Sequence, residues 1–225
     1  MLQFEKNDKL VFIGDSITDC NRARPVGEGL FDAIGKGYVG LVEALLTSTY
    51  PELGIRVVNM GTSGHRVRDL KERWQTDVID LKPDWLAIMI GTNDIWRQYD
   101  VPTMTENHVY IEEYEATLEE LILQTILQSK PKLKGLVLMT PFFIEPNKAD
   151  RMRATMDQYG EVVKRLAAKH GAILVDTQAA FDKVLKHLYS ATLAWDRVHP
   201  TQAGHAIIAR SFLKSVGFDY TKDPE

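Results

Sequence analysis

A single cysteine, Cys20, stands in the whole chain, which excludes an intrachain disulfide and a multi-cysteine metal site and makes a reducing cytoplasm the simplest location. Cys20 itself reads as a small packed residue rather than a nucleophile. No apolar run approaches the roughly 20 residues of a bilayer-spanning helix. The first eight residues, Met1 to Asp8, lack the basic start, apolar core and small-residue cleavage site of a secretory signal. Positive charge is not in surplus either. Against 31 Asp and Glu stand 27 Lys and Arg, and the formal charge of -4 gives no electrostatic reason to expect nucleic acid or an anionic membrane as partner.

Cofactor signatures are absent too. No Gly-x-x-x-x-Gly-Lys-Ser/Thr run occurs, and Gly35-Lys36-Gly37 is followed by Tyr38 rather than a metal-binding hydroxyl. The histidines are scattered, and Asp196-x-x-His199 offers only two ligands, so no metal and no cofactor are expected. There is no repeat, linker or composition break. With 44% hydrophobic and 26% charged residues, the 225-residue chain has the make-up of an ordinary globular protein, read as one domain over 1–225.

What is present is an alternation of apolar strands and helices. Leu10-Val11-Phe12-Ile13 is too short for a stable helix and is closed by Gly14, as a buried strand would be. Further strands are expected at Ile55–Met60, Trp85–Ile90, Leu136–Met139 and Ala172–Val175. Between them, apolar residues recur at helical spacing from Tyr38 to Tyr50, Val67 to Ile79, Tyr110 to Leu127 and Met152 to Ala168, with a last helix over about 203–213. The glycine-rich stretch after Arg22 reads as a long mobile loop. This order implies a three-layer α/β/α sandwich around a five-stranded parallel sheet. A flavodoxin-like strand order 2-1-3-4-5 would reverse direction between the first and third strands, which is where such sheets bind ligands.

Three polar fragments follow predicted strands: Gly14-Asp15-Ser16, Ser63-Gly64 and Gly91-Thr92-Asn93-Asp94. They should meet at one sheet edge. A serine nucleophile needs a base, since its hydroxyl is protonated and weak at neutral pH. His199 is the candidate, with Asp196 three residues earlier able to fix its tautomer. Donors for a developing oxyanion would be the Ser16 N–H, the Gly64 N–H and the Asn93 amide. Each fragment also has a plain structural reading. Ser16 could cap a turn, Gly64 supply a positive φ, Asn93 form a turn, and Asp196 and His199 pair on the surface before Pro200. His65 and His205 read as turn and packing residues. Aromatic faces suit sugar rings, so Trp195, Trp96 and Tyr99 are candidate substrate contacts.

Taken together in this order, Gly14-Asp15-Ser16-Ile17-Thr18, Gly64, Gly91-Thr92-Asn93-Asp94 and Asp196-x-x-His199-Pro200 resemble the SGNH (GDSL-type) hydrolases over nearly the whole chain. Ile17 stands where the family name has leucine, a size-conserving change. The resemblance implies Ser16 as nucleophile, His199 as base, Asp196 as its partner, and Ser16, Gly64 and Asn93 as oxyanion hole. Closer features, among them the Arg22-Ala23-Arg24-Pro25 loop and Ala194-Trp195-Asp196-Arg197-Val198-His199-Pro200, look like the intracellular bacterial acetylxylan esterase branch. That implies a cytoplasmic serine esterase acting on small acetylated carbohydrates, and a homo-oligomer is expected. A lipid esterase or thioesterase, or a sugar O-acetyltransferase, would use the same triad. A flavodoxin-like binding module without chemistry is the remaining reading.

Overall fold

The computed structural model describes residues 1–223. Strands β1 (Lys9–Gly14), β2 (Arg56–Gly61), β3 (Trp85–Met89), β4 (Gly135–Met139) and β5 (Ile173–Val175) form one parallel sheet in the order β2-β1-β3-β4-β5. Gly14 lies opposite both Gly61 and Met89, so the three neighbouring strands end level with one another. The crossing point between β1 and β3 therefore opens at that shared edge.

Strand residues alternate between two apolar layers, as a period of two requires. Leu10, Phe12, Ala87, Met89 and Val137 face one core. Val11, Ile13, Leu86, Ile88 and Leu138 face the other. Both layers are buried, which is why these strands read as unbroken apolar runs rather than alternating ones. The first layer is covered by α2 (Tyr38–Thr49), α7 (Thr177–Val184) and α9 (Gln202–Ser215), through Val42, Phe181, Ile208 and Phe212. The second lies under α3 (Val67–Trp74), α5 (Ile111–Gln128) and α6 (Arg151–His170), through Leu70, Trp74, Leu121, Met156 and Val163. Each such side chain contributes about 1.5–3 kcal/mol when removed from water.

Three segments differ from the sequence expectation. The Gly91-Thr92-Asn93-Asp94 fragment is not a turn but the opening of a helix, α4 (Thr92–Asp100). Gly91 makes the junction at φ 128°, a conformation L side chains rarely adopt. The stretch after Arg22 is a long loop, as expected, but one tied to the fold. Arg22 is buried and donates to the carbonyls of Gly61, Ala23 and Pro25, while Gly27 and Asn59 exchange backbone bonds. Gly27 serves close approach: a Cβ there would lie 2.5 Å from the Asn59 carbonyl. Finally, α7 and the one-turn helix α8 (Ser190–Leu193) are too short to show an apolar period of their own.

Candidate active site

Ser16 is the first residue of the one-turn helix α1 (Ser16–Asp19), which starts directly at the end of β1. Asp15 makes the turn. Its backbone is extended, and its carboxylate accepts from the Ile17 N–H at 3.0 Å as an N-cap. Asp15 is almost fully buried, and burial pushes its carboxyl up to about 6, against the opposing pull of the Ile17 N–H and the nearby His199.

The Ser16 hydroxyl lies 2.9 Å from His199 Nε2. On the far side of the ring, Nδ1–H donates to Asp196 Oδ2 at 2.6 Å. Because a carboxylate only accepts, this bond places the proton on Nδ1 and leaves the Nε2 lone pair for the serine. The other oxygen, Oδ1, accepts the backbone N–H groups of His199 at 2.8 Å and Val198 at 2.9 Å. Partial burial raises the Asp196 carboxyl, but the bonds from the His199 ring and these two amides outweigh it and hold the group below its ordinary value. The turn itself is pinned to the loop after β4. Ile144 N–H donates to the Arg197 carbonyl at 2.9 Å, and the Arg197 guanidinium binds Glu145 and lies over the Phe143 ring.

The second strand end arrives beside the first. Thr62 N–H donates to the Gly14 carbonyl, and Gly64 turns the chain at φ 81°. Asn93, buried in the first turn of α4, donates one amide hydrogen to the His65 carbonyl at 3.1 Å. An amide has two, so one is left for a further acceptor. Two carboxylates without an assigned role in the sequence analysis hold these loops. Asp19 accepts from Ser63 N–H and Oγ–H and pairs with Arg24. Asp94 Oδ1 accepts from Val67 N–H at the start of α3, its other oxygen has no partner, and burial pushes the group up to about 7. Their signal was only that acids recur just past strand ends.

The structure sorts the remaining candidates. Trp96 stands edge-on to the His199 ring, with centroids 5.6 Å apart, and the Arg97 guanidinium lies 5.1 Å from the Trp96 centroid. Trp96 and Tyr99 line a cavity of about 340 Å³ with Asp196, Phe143 and Arg151, whereas the Tyr99 hydroxyl is engaged by the Arg151 carbonyl and Thr155. Trp195 is 90% exposed and lines none of that cavity. His205 is buried. Its Nδ1 accepts from Tyr38 N–H and its Nε2 faces Cys20 Sγ at 3.3 Å. Burial pushes His205 down to about 4 and the Cys20 thiol up to about 11, so both stay neutral and serve packing. Among the described residues no group of three or more His, Cys, Asp or Glu is placed to hold a metal ion. Nor is any helix among them long and apolar enough to cross a membrane.

A hydroxyl, an imidazole and a carboxylate in one hydrogen-bonded line, set at the crossing edge of a parallel α/β/α sheet, define a serine hydrolase. More narrowly, the chain belongs to the GDSL-like lipase/acylhydrolase family, whose model matches residues 12–207, and it is a carboxylic ester hydrolase. It is 62% identical to an acetylxylan esterase of Geobacillus stearothermophilus over 98% of this chain and 99% of that one. The crystal structure of that organism's acetylxylan esterase Axe2 superposes with a TM-score of 0.94, covering 97% of this chain and 98% of the other. LAE5, described as an alpha/beta hydrolase from the metagenome of Lake Arreo in Spain, matches with a TM-score of 0.93 at 54% identity, over 97% of this chain and 99% of its own.

Proposed function

We propose that this chain is a serine esterase that removes acetyl groups from acetylated xylo-oligosaccharides through an acyl-enzyme on Ser16. The observation that carries the reading is the line from Ser16 Oγ through His199 to Asp196, with hydrogen-bond distances of 2.9 and 2.6 Å. Further support for the substrate is the high identity to a relative named acetylxylan esterase. Solved variants of that Geobacillus enzyme described as catalytic mutants replace a serine, an aspartate and a histidine.

In the proposed cycle His199 Nε2 takes the Ser16 proton as Oγ attacks the acetyl carbonyl. The charge on the tetrahedral oxygen is met by the N–H groups of Ser16 and Gly64 and the free Asn93 amide hydrogen, each worth about 3 kcal/mol in the transition state. Asp196 stabilises the imidazolium meanwhile. The imidazolium then gives its proton to the departing sugar oxygen, leaving acetyl on Ser16. Water repeats the sequence, with His199 again as base. The His199 ring is about half exposed, with 46% of its side chain open, so water reaches the acyl-enzyme without a gate.

For the sugar, Trp96 and Tyr99 are proposed as walls of the cavity beside Asp196, and Trp195 as an exposed platform. The reading includes a cytoplasmic location, supported by the lone cysteine, and self-association of the chain. Ser16→Ala and His199→Ala should each lower kcat for acetate release by about 10⁴-fold or more with the fold retained. Acetate release from acetylated xylo-oligosaccharides, set beside other acetylated sugars and a medium-chain ester, tests the substrate. Near-normal turnover in either variant removes the mechanism, and equal rates on all three esters remove the substrate assignment.

A further inference from the structure

Arg73, on the last turn of α3, carries a side chain that the apolar spacing from Val67 to Ile79 gives no reason to single out. Its guanidinium is half-buried at the sheet edge, and every nitrogen is used. Nη2 donates to the Gly14 carbonyl at 3.0 Å, Nη1 to the Met60 carbonyl at 2.7 Å, and Nε to His65 Nδ1 at 3.1 Å. Asp77, one turn on, binds Nη1 at 2.7 Å as counter-ion.

The partners lie on two arms of the site, and one of them reaches the third. Gly14 is two residues before Ser16. Met60 is the penultimate residue of β2, the strand that leads to Gly64. His65 follows Gly64, and its carbonyl is the acceptor that holds the Asn93 amide. We propose that Arg73 is a positioning residue that ties the Ser16 arm to the Gly64 arm directly and to the Asn93 arm through His65, and so fixes the spacing of the oxyanion donors from Ser16, Gly64 and Asn93. The role rests on the oxyanion hole proposed above. A guanidinium can do this because its donors diverge in one rigid plane, whereas a lysine ammonium on the same stem would reach one arm at most. By accepting from Nε, His65 Nδ1 also fixes the orientation of its ring and hence of the backbone next to Gly64.

The test is kcat on 4-nitrophenyl acetate, expressed per active serine titrated to completion with a fluorophosphonate, so that a lower folded fraction does not enter. Arg73→Ala should lower kcat per site by about 10- to 100-fold, the scale of a displaced catalytic group, with KM nearly unchanged. Added ethylguanidinium should restore part of the loss, and Arg73→Lys should remain impaired. Asp77→Asn, which removes the counter-ion but none of the three clamps, should lose less. Arg73→Ala with kcat per site within about threefold of the parent overturns the proposal. If Arg73→Ala does not fold, Arg73→Lys decides by the same threshold. Activity surviving in Ser16→Ala would instead overturn the site itself, which keeps the two failures apart.

Discussion

Asp15 and Asp196 both act on His199, yet their surroundings drive them in opposite directions. Burial raises Asp15 to about 6, whereas three hydrogen bonds hold Asp196 below its ordinary value. Only Asp196 touches the ring, so Asp196→Asn should lower kcat/KM by about 10³- to 10⁴-fold through the wrong tautomer. Asp15→Asn retains an oxygen for the Ile17 N–H and should cost less than tenfold. Steady-state kinetics that rank the two in reverse would mean that Asp15 is the acid serving the base. Stability should follow a different rule. Since the folded chain keeps the Asp15 proton to higher pH than the unfolded chain does, the cost of burying its charge is absent below about 4 and complete above about 6. Relative to the parent, Asp15→Asn should therefore gain up to ~3 kcal/mol of unfolding free energy as pH rises across that window, read from urea titrations at several pH values. A flat difference would show that Asp15 is not buried as a raised acid. Asp196 has the opposite sign, its contribution being lost as pH falls through its depressed value.

At the scale of elements, the junction of β1 with α1 depends on closeness as much as on chemistry. A Cβ on Gly14 would meet the Met89 carbonyl and Thr18 Oγ1 at 2.4 Å, one of them backbone in the neighbouring strand. Gly14→Ala should accordingly cost about 1–3 kcal/mol of stability by urea unfolding, as overpacking does, and move Ser16 relative to His199. A variant as stable as the parent would mean the β1–β3 contact yields freely. The sheet was legible in the sequence because strands buried on both faces write themselves as solid apolar runs, and Gly14, Gly61 and Gly91 stop them. The ends of α2, α5, α6 and α9 fall within two residues of the expected limits for a similar reason, an apolar stripe at helical spacing. Helix α4 escaped because its first turn turns Thr92, Asn93 and Asp94 inward, so polar residues occupy its buried face and no apolar period announces it. Arg22, Arg73 and Arg153 escaped in the same way. Charge usually signals solvent, and only the fold reveals that these guanidinium groups satisfy carbonyls inside it. Ser16, Asp196 and His199 were readable as residues, while the bonds through Asp19, Asp94 and Arg73 that set their surroundings were not.

Over the whole molecule, a few large apolar side chains stand out from the surface. Leu30, Phe31, Tyr189 and Trp195 are all more than four-fifths exposed. Large exposed apolar groups commonly mark contact surfaces, which supports the self-association proposed above. Light scattering coupled to size exclusion should give a mass that is a multiple of 25.5 kDa at micromolar concentration. A monomer across the accessible range removes that reading, and Trp195 then stays with the sugar alone. The order in which the parts of the site occur along the chain has a last consequence. Ser16, Gly64 and Asn93 all precede β4, whereas Asp196 and His199 follow β5 and are held by the loop after β4. A nascent polypeptide leaving the ribosome thus exposes its serine long before it owns a base. Under the proposed mechanism it stays chemically silent toward the esters around it until the segment carrying Asp196 and His199 has been made and has docked on the loop after β4.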